Sequence, residues 1–320
     1  MSRIGTYLTL EQTRALGAKS NVAGALLVLH AWALIAGAMA LFVWWPNPFT
    51  FLLAVMVIGG RQLGLAILMH DAAHGLLFAD KRLNDWVGTW LCASPVFTSL
   101  VLYRPYHLHH HRFTQQEEDP DLGLSAPFPI SRASLRRKIA RDLTGRTAVL
   151  RRGEQIRRAM GPADAALSTR LANLWRKEKP SLLVNFVLLG VLSMAGYWWL
   201  YPVLWLLPLA TWYQLVSRIR NIAEHAVVPD NDDPLRNTRT THANPLMRLL
   251  VAPYWVNYHL EHHLFMFVPC WRLPAAHRAM IEAGRRHDME LKPGYLAVLK
   301  AATSGAGAGT ARAGHGMQHI

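Results

Sequence analysis

The residues of this 320-residue chain best suited to chemistry are its histidines, of which there are 16. Nine of them fall in four short motifs. These are His70 and His74 in HDAAH; His107, His110 and His111 in HLHHH; His225 in NIAEH; and His259, His262 and His263 in HLEHH. On a helix, residues three or four positions apart lie on one face, so each multi-histidine motif directs imidazoles toward one point. This spacing predicts metal binding, and imidazole suits zinc, copper, iron and nickel.

The number of histidines indicates more than one metal ion. Nine are too many for a single ion and suffice for two ions with four or five ligands each. The two cysteines, Cys92 and Cys270, form no CxxC pair, which argues against a zinc ribbon or an iron–sulfur site. A solvated histidine patch is the alternative for any one motif, but four motifs together favour a metal centre.

Carboxylates beside these histidines are candidates for orienting the imidazole N–H groups. Asp71, Glu224 and Glu261 each neighbour a motif histidine, and for each the alternative of an ion pair with a nearby arginine stays open. Another acidic group is interpreted as an ordinary loop that pairs with the arginine-rich stretch and holds no metal. It consists of Glu117, Glu118, Asp119 and Asp121.

The remaining histidines are left out of the predicted site. His109 lies within HLHHH but outside the HxxHH spacing, and it is interpreted as an exposed bystander. His30 falls in the first apolar segment and is interpreted as a core residue. The others lack the motif spacing: His242, His277, His287, His315 and His319.

Long apolar segments are the elements that must position these motifs. Residues 20–60 and 181–217 contain no Asp, Glu, Lys or Arg. A membrane span needs roughly 20 apolar residues, so each segment is long enough for a hairpin of two spans. We predict an all-α membrane protein with four transmembrane helices in two hairpins, with turns at Pro46–Pro48 and near Tyr201–Pro202. The predicted spans are about 22–45, 49–69, 182–200 and 203–217.

Charge orients these spans. The net charge is +14, and residues 104–180 alone hold 16 Lys+Arg against 8 Asp+Glu. By the positive-inside bias, the lead of residues 1–20, the 104–180 block and the C-terminal third face the cytoplasm. Attraction to an anionic leaflet explains the basic composition without nucleic acid. The Ala- and Arg-rich composition points to a bacterial inner membrane, with the histidine motifs on its cytoplasmic side.

Three further segments complete the predicted organisation, in which residues 21–300 form one domain. Residues 86–103 are uncharged and have Pro95 near their middle, so we predict an interfacial or re-entrant segment that leaves the motifs on one side of the membrane. Arg61 falls within the second predicted helix and is expected to snorkel to the nearer surface. Residues 301–320 are predicted to be a disordered, low-complexity tail.

The motifs carry a family resemblance that extends beyond the histidines. The segments are HDAAH at 70–74, YHLHHHRFTQQEEDPDL at 106–122, NIAEH at 221–225 and NYHLEHHLF at 257–265. The chain resembles the membrane fatty acid desaturase superfamily over roughly residues 20–290. The resemblance implies three histidine boxes around a di-iron centre, four spans and a cytoplasmic cap, with His225 as the ninth ligand and Asn221 reaching a metal through water. Met266 departs from the proline of many relatives, which concerns the loop after the third box and not its ligands.

The function that this resemblance implies is O2-dependent oxidation of a lipid acyl chain, with two iron ions as cofactor and a cis double bond as product. The chain has no HPGG haem segment, no flavin or nucleotide fingerprint and no cysteine cluster. An external ferredoxin- or cytochrome-type electron donor is therefore expected. The basic stretch from Arg132 to Arg158 suits donor docking or attraction to the membrane surface, and the second is favoured.

Two alternatives stay open at this stage. A hydroxylase or ketolase of the same superfamily, acting on a hydrocarbon or carotenoid, uses the same boxes, although the Asn221/His225 element and HLEHH lean toward a desaturase. A non-catalytic membrane metal-binding protein is less favoured, and it would consume no O2. A metal transporter would place its ligands near the bilayer midplane, whereas these motifs follow the predicted spans.

Overall fold

The computed structural model describes residues 7–304, which are mainly helical. Fifteen α-helices occur in that range: α1 (Leu10–Leu16), α2 (Asn21–Trp44), α3 (Pro48–Ala73), α4 (Lys81–Val87), α5 (Leu100–Arg112), α6 (Leu122–Ser125), α7 (Arg132–Leu143), α8 (Arg146–Met160), α9 (Leu167–Met194), α10 (Leu207–Ala210), α11 (Trp212–His225), α12 (Pro245–Leu250), α13 (His259–Leu264), α14 (Leu273–Glu282) and α15 (Tyr295–Ala302). A two-stranded parallel sheet joins β1 (Thr240–Thr241) to β2 (Leu291–Lys292). Of the predicted tail of residues 301–320, only 301–304 are described, and α15 continues to Ala302; residues 305–320 lie outside the described range.

Helices α2 and α3 form an apolar hairpin. They have 24 and 26 residues, and both are long and apolar enough to cross a membrane. The turn between them is closed by Asn47, whose side chain accepts hydrogen bonds from the backbone N–H groups of Phe49 and Thr50 at 2.9 and 3.0 Å. Pro48 occupies the first turn of α3, where a missing N–H costs nothing. The predicted first pair of helices is confirmed, and α3 continues far enough to carry His70.

Close packing in this hairpin depends on a glycine. A Cβ atom added to Gly24 would lie 2.0 Å from the carbonyl oxygen of Leu77, in the loop that follows α3. The absence of a side chain therefore lets α2 contact the backbone just beyond His74. This contact fixes the end of the helix that carries the first histidine motif.

The segment with Pro95 is broken, as expected for an interfacial or re-entrant segment. Residues 81–96 are helical, and α5 then departs at an angle of 94°. Phe97 takes a left-handed φ of 57° at the break, and Ser99 caps the N-terminus of α5. By length and composition the bent pair is either a broken span or a re-entrant segment. Its place relative to the bilayer stays a prediction.

The second predicted hairpin turns earlier than expected. Helix α9 ends at Met194 and the chain reverses at Gly196, whose φ is +81°. Tyr201 and Pro202, where the turn was predicted, instead open the next helical segment, a π-helix from Tyr201 to Leu206. A proline breaks a helix only in its interior and is well tolerated in the first turn. The predicted turn position was therefore wrong by about five residues.

Arg61 does not snorkel to the surface. Its side chain is 2% exposed, and Nη2 donates hydrogen bonds to the backbone carbonyls of Arg248 and Leu249 at 2.7 and 2.6 Å. The guanidinium also lies over the ring of Tyr254 at 5.4 Å. The prediction failed because the segment around α12 folds back against α3. Gly60 on α3 has no side chain, so the backbone of Leu249 and Leu250 approaches it closely. Carbonyl oxygens replace water as the partners of the charge.

Helices α7 and α8 pack against each other, and this pair, referred to as the cap, is tied to α11 by a buried acid. Asp142 is fully buried and makes a bidentate ion pair with Arg218, whose Nη2 donates at 2.8 Å. Thr147 at the start of α8 donates to the same carboxylate at 2.6 Å. Because α11 ends at His225, this network connects the cap to a helix that carries a predicted ligand.

Candidate metal centre

The nine motif histidines converge into two clusters. In each cluster the members offer one ring nitrogen apiece, and all these nitrogens lie within 4.8 Å of one another. The first cluster consists of His70, His74, His107, His111 and His262, and the second of His110, His225, His259 and His263. The structure thus brings together every histidine of the predicted set, in groups of the predicted size. Their role as ligands stays a prediction.

Each HxxHH box contributes to both clusters. On α5, His107 and His111 are four residues apart and join the first cluster, whereas His110 joins the second. On α13 the division is reversed, because His262 joins the first cluster while His259 and His263 join the second. Neighbouring residues on a helix point about 100° apart, so an adjacent pair cannot serve a single point. The two adjacent histidines of each box therefore belong to different clusters.

The contacts between ring nitrogens fit chelation. In the first cluster, Nε2 of His107 lies 3.0 Å from Nε2 of His74 and 2.9 Å from Nε2 of His111. In the second, Nε2 of His259 lies 2.8 Å from Nε2 of His225. Two nitrogens at this distance share at most one proton, and several nitrogens facing one point are usually joined by a metal.

Buried ring nitrogens without partners support the same fit. Among the described residues, Nε2 of His70 and Nε2 of His263 are buried and have no hydrogen-bond partner. A buried polar atom without a partner is costly, and a metal ion in each cluster would give both nitrogens a partner. The donor set contains only imidazole, which fits a pair of transition metal ions, one for each cluster.

Burial keeps these imidazoles neutral. It lowers the pKa of His74 to about 4, with a smaller effect from the charge of Arg104. The pKa values of His259, His262 and His263 lie well below the ordinary value, first because of burial and then because of neighbouring histidines. Neutral imidazole is the form that binds a metal, so at neutral pH these side chains need not lose a proton to do so.

Asp119 orients one of the clustered histidines. Its Oδ1 lies 2.7 Å from Nδ1 of His110, and its Oδ2 accepts a hydrogen bond from the backbone N–H of Gln115 at 2.8 Å. Both side chains are almost fully buried. This contact assigns the proton to Nδ1 and leaves Nε2 of His110 free for the second cluster. The interpretation of Asp119 as part of an ordinary acidic loop was therefore wrong, since the loop folds back onto α5.

Thr114 has a similar contact in the second cluster. Its hydroxyl oxygen lies 3.1 Å from Nδ1 of His263, and the hydroxyl also donates to the backbone carbonyl of His110 at 3.0 Å. The hydroxyl thereby fixes the orientation of the His263 ring and leaves its Nε2 free. Nothing in the sequence spacing singles out Thr114, because the contact joins positions 149 residues apart.

The three predicted orienting carboxylates lie in different surroundings. Oε1 of Glu224 is 2.6 Å from Nε of Arg220 and 3.5 Å from Nδ1 of His259, so both proposed roles describe it. Burial raises the pKa of Glu224 to about 7, and Arg220 opposes that shift. Asp71 instead accepts a hydrogen bond from the backbone N–H of Cys270 at 3.0 Å, which anchors the loop before α14.

Glu261 is fully buried, and none of its side-chain hydrogen bonds goes to a clustered histidine. Its Oε1 lies 2.5 Å from Nδ1 of His277, and its Oε2 accepts from the hydroxyl of Thr240. His277 was left out of the predicted site because it has no motif spacing, yet it holds the acid of the third box in place. The signal for this pair is absent from local sequence, since 16 residues separate the two.

Asn221, His109 and His30 lie outside both clusters. Asn221 is half-buried on α11, four residues before His225 and on the same face, as a water-mediated contact would need. His109 is exposed and its ring packs on Phe113 at 4.6 Å, outside both clusters. Its exposure agrees with the interpretation of His109 as a bystander, which stays a prediction. His30 on α2 is exposed, so it is not a core residue, but its Nδ1 lies 3.1 Å from the hydroxyl of Tyr254 and thus has a partner.

An apolar helical hairpin followed by two histidine clusters, each able to hold a metal ion, defines a membrane-associated protein of the histidine-box type. The chain belongs to the fatty acid desaturase family, whose profile matches residues 42–295. It is 28% identical over 302 residues to a dihydrorhizobitoxine desaturase from Bradyrhizobium elkanii, covering 87% of this chain and 78% of that protein.

Two further relatives are ketolases and not desaturases. A beta-carotene ketolase from Paracoccus sp. strain PC1 is 28% identical over 258 residues, covering 78% of this chain and 86% of the relative. A second beta-carotene ketolase, from Paracoccus sp. strain N81106, is 27% identical over 222 residues, covering 67% and 74%. Desaturases and ketolases are thus both among the relatives at nearly equal identity.

Proposed function

We propose that this protein uses a pair of iron ions and O2 to oxidise a lipid acyl chain, introducing a cis double bond. The observation that carries the proposal is the pair of adjacent imidazole clusters, with five and four histidines, following apolar helices in a member of the fatty acid desaturase family. When bound, the iron pair supplies the activation of O2 that an unactivated C–H bond requires.

The overall reaction balances with an external donor. Two hydrogen atoms leave neighbouring carbons of the chain, and the donor supplies two electrons that arrive with two protons. Together they reduce O2 to two molecules of water. A ferredoxin- or cytochrome-type protein is the proposed donor. Its proposed side is the cytoplasmic face of a bacterial inner membrane, where the histidine boxes would lie.

The chain's own residues hold and insulate the site. The neutral imidazoles provide the ligand atoms, and the contacts from Asp119 and Thr114 set the ring orientation of His110 and His263. Because the clustered side chains are largely buried, bulk water is kept from the reaction. Fixed orientation of this kind also limits which carbon of a substrate can approach.

An open cavity of about 730 Å³ offers a path for a long apolar substrate. It lies between α8, α10, the start of α11 and the segment before α5, and its lining includes Phe97, Val149, Leu209 and Tyr213. Helix α5 begins at Leu100 just after this lining, and His107 follows seven residues later, about 10 Å along the helix. A hydrocarbon chain entering here would have to extend about that far to meet the histidines, which supports a long-chain substrate.

A ketolase or hydroxylase acting on a carotenoid or other hydrocarbon is the second candidate. The similarity to two beta-carotene ketolases favours it specifically. The two outcomes differ in the final step, where either a second hydrogen is removed or an oxygen atom is transferred to the carbon. The same histidine set serves both.

Lipid analysis of a bacterial host expressing this chain tests the proposal. Mass spectrometry should show fatty acids with a new double bond, and purified protein should contain about two irons. His262→Ala should abolish the product, since it removes a ligand from the five-membered cluster, while His109→Ala should leave the product level within about twofold. Both variants should remain in the membrane fraction.

The products distinguish the candidates. Hydroxyl or keto products without a new double bond would favour the second candidate. Full desaturation by His262→Ala, or purified protein that binds no iron, would refute the proposed centre.

A further inference from the structure

A second cavity, remote from the histidine clusters, lies where α7 and α8 meet. It has a volume of about 580 Å³, and four cationic side chains line it: Arg137, Lys138, Arg141 and Arg146. No carboxylate lines it within the described part of the chain. Four like charges around one cleft repel each other, so an anion in the cleft would be stabilised.

The one acid nearby is not available to these cations. Asp142 is the only acidic residue between positions 132 and 153, which hold eight Arg and Lys residues. Its side chain is fully buried and faces Arg218 and Thr147. The positive charge of the cleft is therefore left without a counterion from the cap. In agreement, the pKa of Lys138 is lowered, first by burial and then by Arg218 and Arg141.

Apolar side chains border the same cleft. Leu150 belongs to its lining and is 55% exposed, and Leu143, next to the lining residue Thr144, is 44% exposed. Helices that combine exposed leucine with arginine and lysine usually lie in the interface of a bilayer. A docking site for an acidic redox protein would require the charges but not this apolar border.

We propose that the cleft between α7 and α8 binds the phosphate group of an anionic phospholipid, whose acyl chains lie against Leu143 and Leu150. Guanidinium groups form paired hydrogen bonds with phosphate oxygens, and Lys138 adds a compact charge. The cap is thereby held to the bilayer surface. Through Asp142 and Arg218, the lipid contact extends to α11, which carries His225.

Lipid binding to the purified full-length protein in neutral detergent tests the proposal. Native mass spectrometry should detect adducts of dioleoyl phosphatidylglycerol in preference to dioleoyl phosphatidylcholine. The double variant Arg137→Gln/Arg141→Gln removes two cleft charges, each worth about fivefold in lipid affinity, so the Kd for phosphatidylglycerol should rise roughly 25-fold.

The matched control removes the same charge from the same cap. Arg157→Gln/Arg158→Gln lies on α8 outside the cleft, where both arginines pair with Glu154. Its Kd for phosphatidylglycerol should stay within about twofold of the wild-type value. Circular dichroism and thermal unfolding should show both double variants folded, and the single variant Arg137→Gln, with an expected fivefold effect, covers the case in which the double variant unfolds.

Several results would overturn the assignment. An unchanged Kd in a folded cleft variant would do so, as would an equal loss in the control, which would indicate diffuse charge attraction. Displacement of the lipid by sodium phosphate at equal concentration would indicate a site for free phosphate. Unchanged lipid affinity together with weaker binding of an acidic ferredoxin would assign the cleft to protein docking.

Discussion

His110 and His111 are adjacent in the chain, yet their rings enter different clusters, as do those of His262 and His263. The helical rotation of about 100° per residue makes this division unavoidable. In the proposed centre, a doubled histidine would place one ligand on each of two metal ions from a single helix. Asp119 and Thr114, which follow the second box, orient the rings of His110 and His263.

Asp119 is the residue whose loss should weaken metal binding most without removing a ligand. Asp119→Asn replaces the carboxylate that holds Nδ1 of His110, so the affinity for iron of the four-histidine cluster should fall 10- to 100-fold. Iron retained after dialysis against a graded chelator measures this. Glu117→Gln, an exposed neighbour in the same loop, should retain iron as the wild-type protein does. Equal retention by Asp119→Asn would contradict the assigned role.

At the scale of elements, close backbone contacts position the helices that carry the histidines. Arg61 and Gly60 hold the segment around α12 against α3, and this segment leads directly into the third box on α13. Gly24 brings α2 against the loop after His74. Such contacts pin the ends of helices whose imidazoles must meet within a few ångströms.

Gly24→Ala should destabilise the hairpin of α2 and α3. The added methyl group would lie 2.0 Å from the backbone carbonyl of Leu77, and relieving that overlap should cost about 1–3 kcal/mol in free energy of unfolding. Gly37→Ala is the matched control on the same helix, because nothing lies within 4 Å of its added methyl group. Thermal unfolding in detergent should show a lower Tm for the first variant only. An unchanged Tm for Gly24→Ala would contradict the described contact.

For the whole molecule, the proposed topology places the histidine clusters and the cap on one side of the membrane. The turns at Pro46 and at Ala195–Gly196 would then lie on the other side. Both turns are exposed in the structure, and so is Ala163 in the loop between α8 and α9. Native Cys92 and Cys270 are buried, so they contribute little background to thiol labelling.

Cysteines introduced at these positions test the topology in intact cells. Pro46→Cys and Ala195→Cys should react with a membrane-impermeant maleimide added outside, whereas Ala163→Cys should react only after permeabilisation. The physical reason is the positive-inside bias of the block 104–180. External labelling of Ala163→Cys would overturn the cytoplasmic assignment, and protection of Ala195→Cys would argue against the second hairpin.

The sequence predictions failed where local spacing left more than one outcome open. The turn near Tyr201 was misplaced because Pro202 is compatible with both the end and the start of a helix, and the left-handed Gly196 decides between them. Arg61 was assigned to the surface because its carbonyl partners lie 187 and 188 residues away. Asp119 was assigned to an ordinary acidic loop because the fold of that loop is not encoded in local spacing.

The nine histidines and the first apolar hairpin were determined by the sequence alone. Both depend on local periodicity, since helical spacing places imidazoles on one face and uninterrupted apolar residues require burial or lipid. Only the tertiary structure decided the division into five and four, the carbonyl partners of Arg61 and the contact between Asp119 and His110. Those features arise where separate helices meet, and their relative rotation follows from packing across the whole fold.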